Sequence, residues 1–254
     1  MIRSTLQRRQ LLAAVALSGC PLWWPFAHAQ DGFDHDYAAW TALLKKHVRW
    51  LPGGHASQVD YRGFQADRGA LKTVLDAMSA VPRSRFDAWS REQQMAFLIN
   101  AYNAFTVELI LTKYPDLKSI KELGSLLQSP WKKKFFTLLG EPRHLDWIEH
   151  EQLRPRYAEP RIHAAVNCAS GMRRFLADRT RNRVANGRLE VSAIFKWFRE
   201  DFEQGHLGLK RVEDLFARYA LQLSDDAAVQ AQLRERTLPV THLDYDWALN
   251  GAGR

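Results

Sequence analysis

Residues 93–111, QQMAFLINAYNAFTVELIL, are apolar on nearly every face that a helix could present, and their polar positions are few. At about 100° per residue, Gln93, Asn100 and Asn103 share one narrow stripe, while Phe97, Leu98, Ile99, Phe105, Leu109 and Ile110 occupy the other faces. Glu108 falls off the stripe. So apolar a helix belongs in a core, where an amide without a partner costs about 1–3 kcal/mol. The asparagines are therefore expected either to complete a buried polar network or to face a polar pocket.

The same periodicity organises the rest of the chain. Tyr37, Trp40, Leu43, Leu44 and Val48 predict a helix over 34–48, broken by Pro52, Gly53 and Gly54. Val59, Asp60 and Tyr61 read as extended. Helices are then expected over 64–79, 84–90 and 91–113, the last stopping near Tyr114 and Pro115, with a shorter one over 119–127. The apolar run 135–139 and the turn 140–143 predict a strand and a tight reversal. Asp146 and Glu149 are spaced as a capping-box variant opening a helix that contains Ile148, His150 and Leu153.

Residues 161–168, RIHAAVNC, suit a short buried strand, with His163, Ala165 and Asn167 on one face and Ile162, Ala164, Val166 and Cys168 on the other. Leu189 and Val191 suggest another strand. Ser192 then caps a helix whose stripe is Ile194, Phe195, Phe198 and Phe202, and a last helix covers 212–223. From Thr241 to Leu249 apolar residues alternate with His242, Asp244 and Asp246, as in a strand with one polar face. These elements predict an α+β fold: a mostly helical single domain, residues 30–254, around a small β-sheet built from the segments near 135, 162, 189 and 243.

The first 29 residues change the picture of where the chain works. A basic start, an apolar run over 11–17 and a small-residue ending form an export signal, and Arg8, Arg9, Gln10, Leu11 and Leu12 fit the twin-arginine type. Cleavage after Ala29, in the A-x-A sequence Ala27, His28, Ala29, gives a periplasmic or secreted protein beginning at Gln30. Leu17, Ser18, Gly19 and Cys20 offer the alternative of a lipoprotein acylated at Cys20. Cleavage at Gln30 lowers the formal charge from +8 to +5 by removing three arginines. A moderate positive balance on amphipathic elements, with no zinc-finger, RNP or basic-zipper pattern, excludes nucleic acid as the expected partner. No second run of 18 or more apolar residues predicts a transmembrane span. Cys168 would be the one cysteine of the exported chain, so no internal disulfide is expected.

Several segments together resemble the bacterial exported members of the family called domain of unknown function 547 (DUF547). They are FLINAYNAFTVELILTKYPDLKSIKELG from Phe97, SPWKKKFFTLLGE from Ser129, LDWIEH from Leu145, RIHAAVNCAS from Arg161, LEVSAIFKWFREDF from Leu189 and LDYDWALN from Leu243. The resemblance implies no activity, because the family is named for a missing one. Its plant members carry a leucine-zipper segment, for which this chain has no heptad run. After the asparagine-cysteine-alanine-serine motif the family continues through a glycine-cysteine-proline turn and a helical stretch. Here Ser170 runs directly into Gly171 and Met172, an apparent internal deletion that also removes the family's second cysteine.

Three chemistries are compatible with the residues. Cys168 with His150 or His163 invites thiol-dependent hydrolysis or acyl transfer, in which a thiolate attacks an acyl carbon and an imidazole shuttles the proton. If a strand runs through Cys168, His163 lies on the opposite face and His150 is the better partner; a buried structural cysteine is the plain alternative. His150 and His163 could bind a metal with His144, Asp146 or Glu149, but HLDWIEH spaces its histidines six apart, which matches no metal motif. The most coherent polar set is Asn100, Asn103, His163 and Asn167, expected to line a site for an unknown small polar ligand. No phosphate loop, nucleophile elbow, HExxH or CxxC is present, so no cofactor is expected. The functional alternatives are a thiol enzyme and a non-catalytic binding or scaffold module for an envelope protein.

Overall fold

Ser90 starts the long apolar helix α5, Arg91–Leu111: its hydroxyl accepts from Gln93 N–H at 3.2 Å while its own N–H donates to Gln93 Oε1 at 3.0 Å. This reciprocal cap satisfies two amide donors that a helix start leaves open, and it explains Gln93 on the polar stripe. The computed structural model describes residues 32–125, 128–168 and 171–252, excluding the side chains of Asn167 and Cys168. The expected export signal, with its paired arginines and Cys20, lies outside the described residues.

The elements before α5 are helix α1, Ala38–His47, the antiparallel pair β1, Val48–Trp50, and β2, Ser57–Val59, and helices α2, Tyr61–Ala66, α3, Arg68–Ser79, and α4, Arg83–Ala88. Asp60 caps α2 by accepting from Gly63 N–H. After α5 come a 3₁₀ turn at Ile120–Leu123, where a longer helix is expected, and the hairpin β3, Phe136–Leu138, with β4, Glu141–Arg143. A π-helix, Trp147–Leu153, leads into α6, Arg154–Tyr157. The expected capping box does not form, since Asp146 makes no side-chain cap; His144 Nδ1 accepts from Trp147 N–H at 3.0 Å instead.

The chain continues with α7, Ile162–Cys168, α8, Gly171–Ala177, β5, Arg183–Ala185, and β6, Arg188–Ser192. Short helices α9, Ile194–Trp197, α10, Arg199–Glu203, α11, Val212–Arg218, and α12, Ala220–Leu223, replace two longer ones. Helix α13, Ala227–Glu235, was not foreseen, and β7, Val240–Leu243, ends the regular structure. Strand β6 pairs antiparallel with β5 and parallel with β7, from Leu189 opposite Val240 to Ser192 opposite Leu243.

Two expectations about the sheet fail. Residues 162–168 form a helix, and the 135–143 hairpin is a separate two-stranded sheet. The terminal strand also stops at Leu243, after which the chain peels away. The fold remains mixed α+β and mostly helical, and Phe33–Arg254 is one compact unit.

Within that unit the buried apolar residues form two clusters, and α7 lies on their seam. Ile162 and Val166 belong to the cluster built on α1–α5, whereas Ala164 belongs to the cluster built on α8–α13 and the three-stranded sheet. A helix contacting cores on two sides has apolar residues all round, which is why HAAVNC carries no amphipathic signature and reads as a buried strand.

Candidate functional site

His163 sits at this seam with 1% of its surface exposed. Its Nε2 is 2.7 Å from Asp201 Oδ2 on α10, its Nδ1 is 3.5 Å from Glu149 Oε1 on the π-helix, and its ring stacks on Phe198 at 3.8 Å. Arg154 closes the other side of Asp201 through two bonds, Nε to Oδ2 at 2.6 Å and Nη2 to Oδ1 at 3.0 Å. Such a planar fork on a carboxylate is the strong form of the ion pair.

The π-helix makes this arrangement possible. Glu149 and Arg154 are five residues apart, which on an α-helix puts them well round from each other, but a turn closed from i to i+5 stacks them. The next residue, His150, accepts from Arg154 Nη1 through Nδ1 at 3.0 Å and lies 4.0 Å from Asp146 through Nε2. On the core side, the buried Tyr102 phenol of α5 lies beside the Glu149 carboxyl. Polar groups are thus neighbours in turn from Tyr102 through Glu149, His163, Asp201 and Arg154 to His150, hydrogen-bonded from His163 onward.

Their ionisation follows from their neighbours. Burial by itself pushes the His163 imidazole down, but the Asp201 hydrogen bond and the Glu149 carboxylate outweigh it, and the net direction is up. Burial pushes Asp201 up, yet the His163 and Arg154 hydrogen bonds hold its carboxyl well below the usual range. Burial, reinforced by the Glu149 charge, keeps the Tyr102 phenol protonated. The surroundings thus favour the imidazolium form of His163 between the two carboxyl groups.

Beside Tyr102 a cavity of about 200 Å³ opens toward solvent. Helix α5 supplies Tyr102, Asn103 and Thr106 to its lining, α7 supplies Val166, and the segment after β7 supplies Tyr245, Asp246, Trp247 and Asn250; Trp40, Ser57, Tyr61, Phe64, Trp131 and Arg181 complete the polar and aromatic part. That terminal segment is fastened down as a roof. Asn250 accepts from Tyr61 Oη at 3.0 Å through its side chain and from Val59 N–H at 2.9 Å through its carbonyl, and Leu249 N–H donates to Lys118 O at 3.1 Å. Two wider grooves lie elsewhere, one along α3 and the β3–β4 hairpin and one along α7 and α8.

The four residues expected to line one polar site are distributed differently. Asn100 lies near the Tyr37 phenol and is not among the residues that line the cavity. Asn103 lines the cavity and donates from Nδ2 to Ala165 O at 3.2 Å, and His163 belongs to the ion network. Asn167 and Cys168 close α7, with side chains outside the described residues. Because α7 is a helix, positions 163 and 168 stand five residues, about 140°, apart around its axis. No group of three or more His, Cys, Asp or Glu side chains is arranged to hold a metal ion among the described residues.

Arg154, Asp201, Arg181, Tyr102 and Asn250 were not singled out from the sequence. Arg154 and Asp201 gave no signal, since charged residues near helix ends are ordinary. Asp246 stood on the polar face of LDYDWALN, but only the roof geometry makes that face a cavity wall.

Residues 86–173 match the family model described as "Protein of unknown function, DUF547". The match runs from α4 into α8, so it takes in Tyr102, Asn103, Glu149, His150, Arg154, His163 and Val166, while Asp201, Arg181 and the roof lie beyond it. No curated protein and no solved structure matches the chain.

Proposed function

With residues 86–173 assigned to the DUF547 family, we propose that the chain is an exported, periplasmic domain that binds a small polar ligand in the cavity beneath residues 245–250. The observation that carries this reading is the lining itself: aromatic rings, two asparagine amides, one guanidinium and one carboxylate, with no histidine among the described lining residues. Such a surface orients a ligand but offers little acid–base chemistry. Burial keeps the Tyr61 and Tyr102 phenols protonated, and Asp246 already accepts from Ala248 N–H at 2.8 Å. Equilibrium dialysis against a defined mixture of sugars, amino acids and nucleosides tests the reading. Retention of one component by the native protein, lost in Asn103→Ala and Asp246→Ala, is expected; equal retention by all three proteins would sink it.

A second reading, thiol-dependent hydrolysis or acyl transfer through Cys168, has weaker support, since position 168 of α7 stands about 200° round the helix axis from the cavity-lining Val166. With both His163 nitrogens facing carboxylates, His150 is the histidine left to carry the proton. Iodoacetamide separates the readings. Rapid alkylation of Cys168 in the folded protein supports the enzyme, and protection until unfolding supports the binding domain.

A further inference from the structure

We propose that the ligand is a neutral saccharide, with one ring in the cavity and the next against the exposed aromatic face of Trp197; the inference rests on the binding function proposed above. Trp247 forms a wall of the cavity and is the centre of an aromatic group. Its ring lies 5.6 Å from Trp131 at 67°, 4.6 Å from Tyr245 at 55° and 5.7 Å from Trp197 at 25°. Trp197 continues this surface outward and is 48% exposed. Indole faces carry negative π density, and the C–H bonds on the faces of a pyranose carry the complementary partial positive charge. An aromatic patch of this kind, left open beside a polar cavity, suits a ring that is apolar on its faces and hydroxylated at its rim.

The polar groups point to the same chemistry. One atom of each side chain is engaged within the protein, Asp246 Oδ1 by Ala248 N–H, Asn103 Nδ2 by Ala165 O and Asn250 Oδ1 by Tyr61 Oη, so Asp246 Oδ2, Asn103 Oδ1 and Asn250 Nδ2 are the single donors and acceptors of the kind that meet individual hydroxyls. Lys121 Nζ already covers one face of the Trp247 ring at 3.9 Å, and the charges of the lining itself balance. Arg181 and Asp246 are of opposite sign, and Arg181 is itself paired with Asp178 at 3.2 Å. A flat nucleobase is disfavoured by ring geometry, because the near-parallel Trp197 and Trp247 are already in contact and Trp131 and Tyr245 stand steeply to Trp247. The cavity volume, about 200 Å³, falls below the roughly 300–1,000 Å³ of drug-sized sites and so fits a single small ring.

Tryptophan fluorescence titrations with chitotriose, cellotriose and maltotriose, and with adenosine and phenylalanine as non-sugar probes, test the assignment. Saturable binding of at least one trisaccharide, unaffected by added sodium chloride, is expected. Trp197→Ala should weaken trisaccharide binding about tenfold, the effect of losing one aromatic contact, and leave binding of the corresponding monosaccharide unchanged. Trp197 is half exposed, so this variant should keep the native circular dichroism spectrum. Binding of adenosine or phenylalanine without any trisaccharide would overturn the saccharide and leave the cavity reading intact. Trisaccharide binding indifferent to Trp197→Ala would overturn the placement of the second ring. Silence from every probe would overturn the saccharide, while the dialysis experiment decides separately whether the cavity binds anything.

Discussion

His163 is enclosed by two carboxyl groups that favour its charged form, and these groups depend on one another. Removing it leaves Glu149 and Asp201 facing each other's field without their shared cation, so His163→Ala should destabilise the protein by about 3–5 kcal/mol in urea unfolding. Asn103→Ala removes one hydrogen bond to a carbonyl at a wetted cavity wall and should cost about 0.5–1.5 kcal/mol. The pH dependence has a definite sign. Because the His163 value is raised on folding, its stabilisation is complete below the unfolded value of about 6.5 and is lost as pH rises through the higher folded value. Asp201 acts oppositely: its contribution is present above the unfolded value of about 3.9 and fades as pH falls toward its lowered folded value. Unfolding free energy attributable to this network should therefore be largest between about pH 4 and 6.5. In His163→Gln the alkaline limb of the stability profile should vanish; a limb that persists in the variant would place the titration on another group.

Local elements are held by contacts that spacing does not reveal. Gly63 of α2 lies directly under the buried imidazole of His47, so a methyl group there collides with its Nδ1, while His47 Nε2 is held 2.7 Å from Asp67. Gly63→Ala should cost about 1–3 kcal/mol, the scale of overpacking, despite alanine's better helix propensity, and thermal unfolding measures it. Trp247 gives the opposite lesson. As an inward residue of a long terminal strand it would be fully buried, but it lies past the end of β7, partly exposed among Trp131, Tyr245 and Trp197. Trp247→Ala should accordingly cost less than the roughly 3–5 kcal/mol of a buried tryptophan. The long helix was readable because its apolar stretch is local; α7 was misread because a seven-residue segment with five apolar or small residues fits a strand or a helix buried on both sides equally well.

At the scale of the molecule, the ion network crosses the boundary between two apolar clusters. Tyr102, Glu149 and Arg154 come from one side, Phe198 and Asp201 from the other, and His163 stands on the helix shared by both. A disrupted network should loosen the seam before either cluster melts, so His163→Ala should raise hydrogen exchange first in α7 and α10. Export belongs to this scale as well. Replacing Arg8 and Arg9 by lysine is expected to retain the protein in the cytoplasm, and intact mass of the exported form should correspond to a start at Gln30. An acylated Cys20 terminus would instead define a lipoprotein. Among the described residues no helix is long and apolar enough to cross a membrane.

The sequence by itself determined what depends on neighbours within a few turns. Helices α1, α3 and α5, the 136–143 hairpin, β6 and the mixed, mostly helical class all follow from hydrophobic period, capping and turn chemistry. The resemblance to DUF547 was equally legible, and the family match covers 86–173. Tertiary structure decided the rest. It made 162–168 a helix by giving it two cores to pack against, and it drew Glu149 and Arg154 together through a π-turn. It also set Asp201 beside His163 across 38 residues and folded the terminal segment over α5 as the roof of a cavity. A buried charge is tolerable only where its partners arrive, and those partners come from elements whose positions are fixed by packing rather than by spacing along the chain.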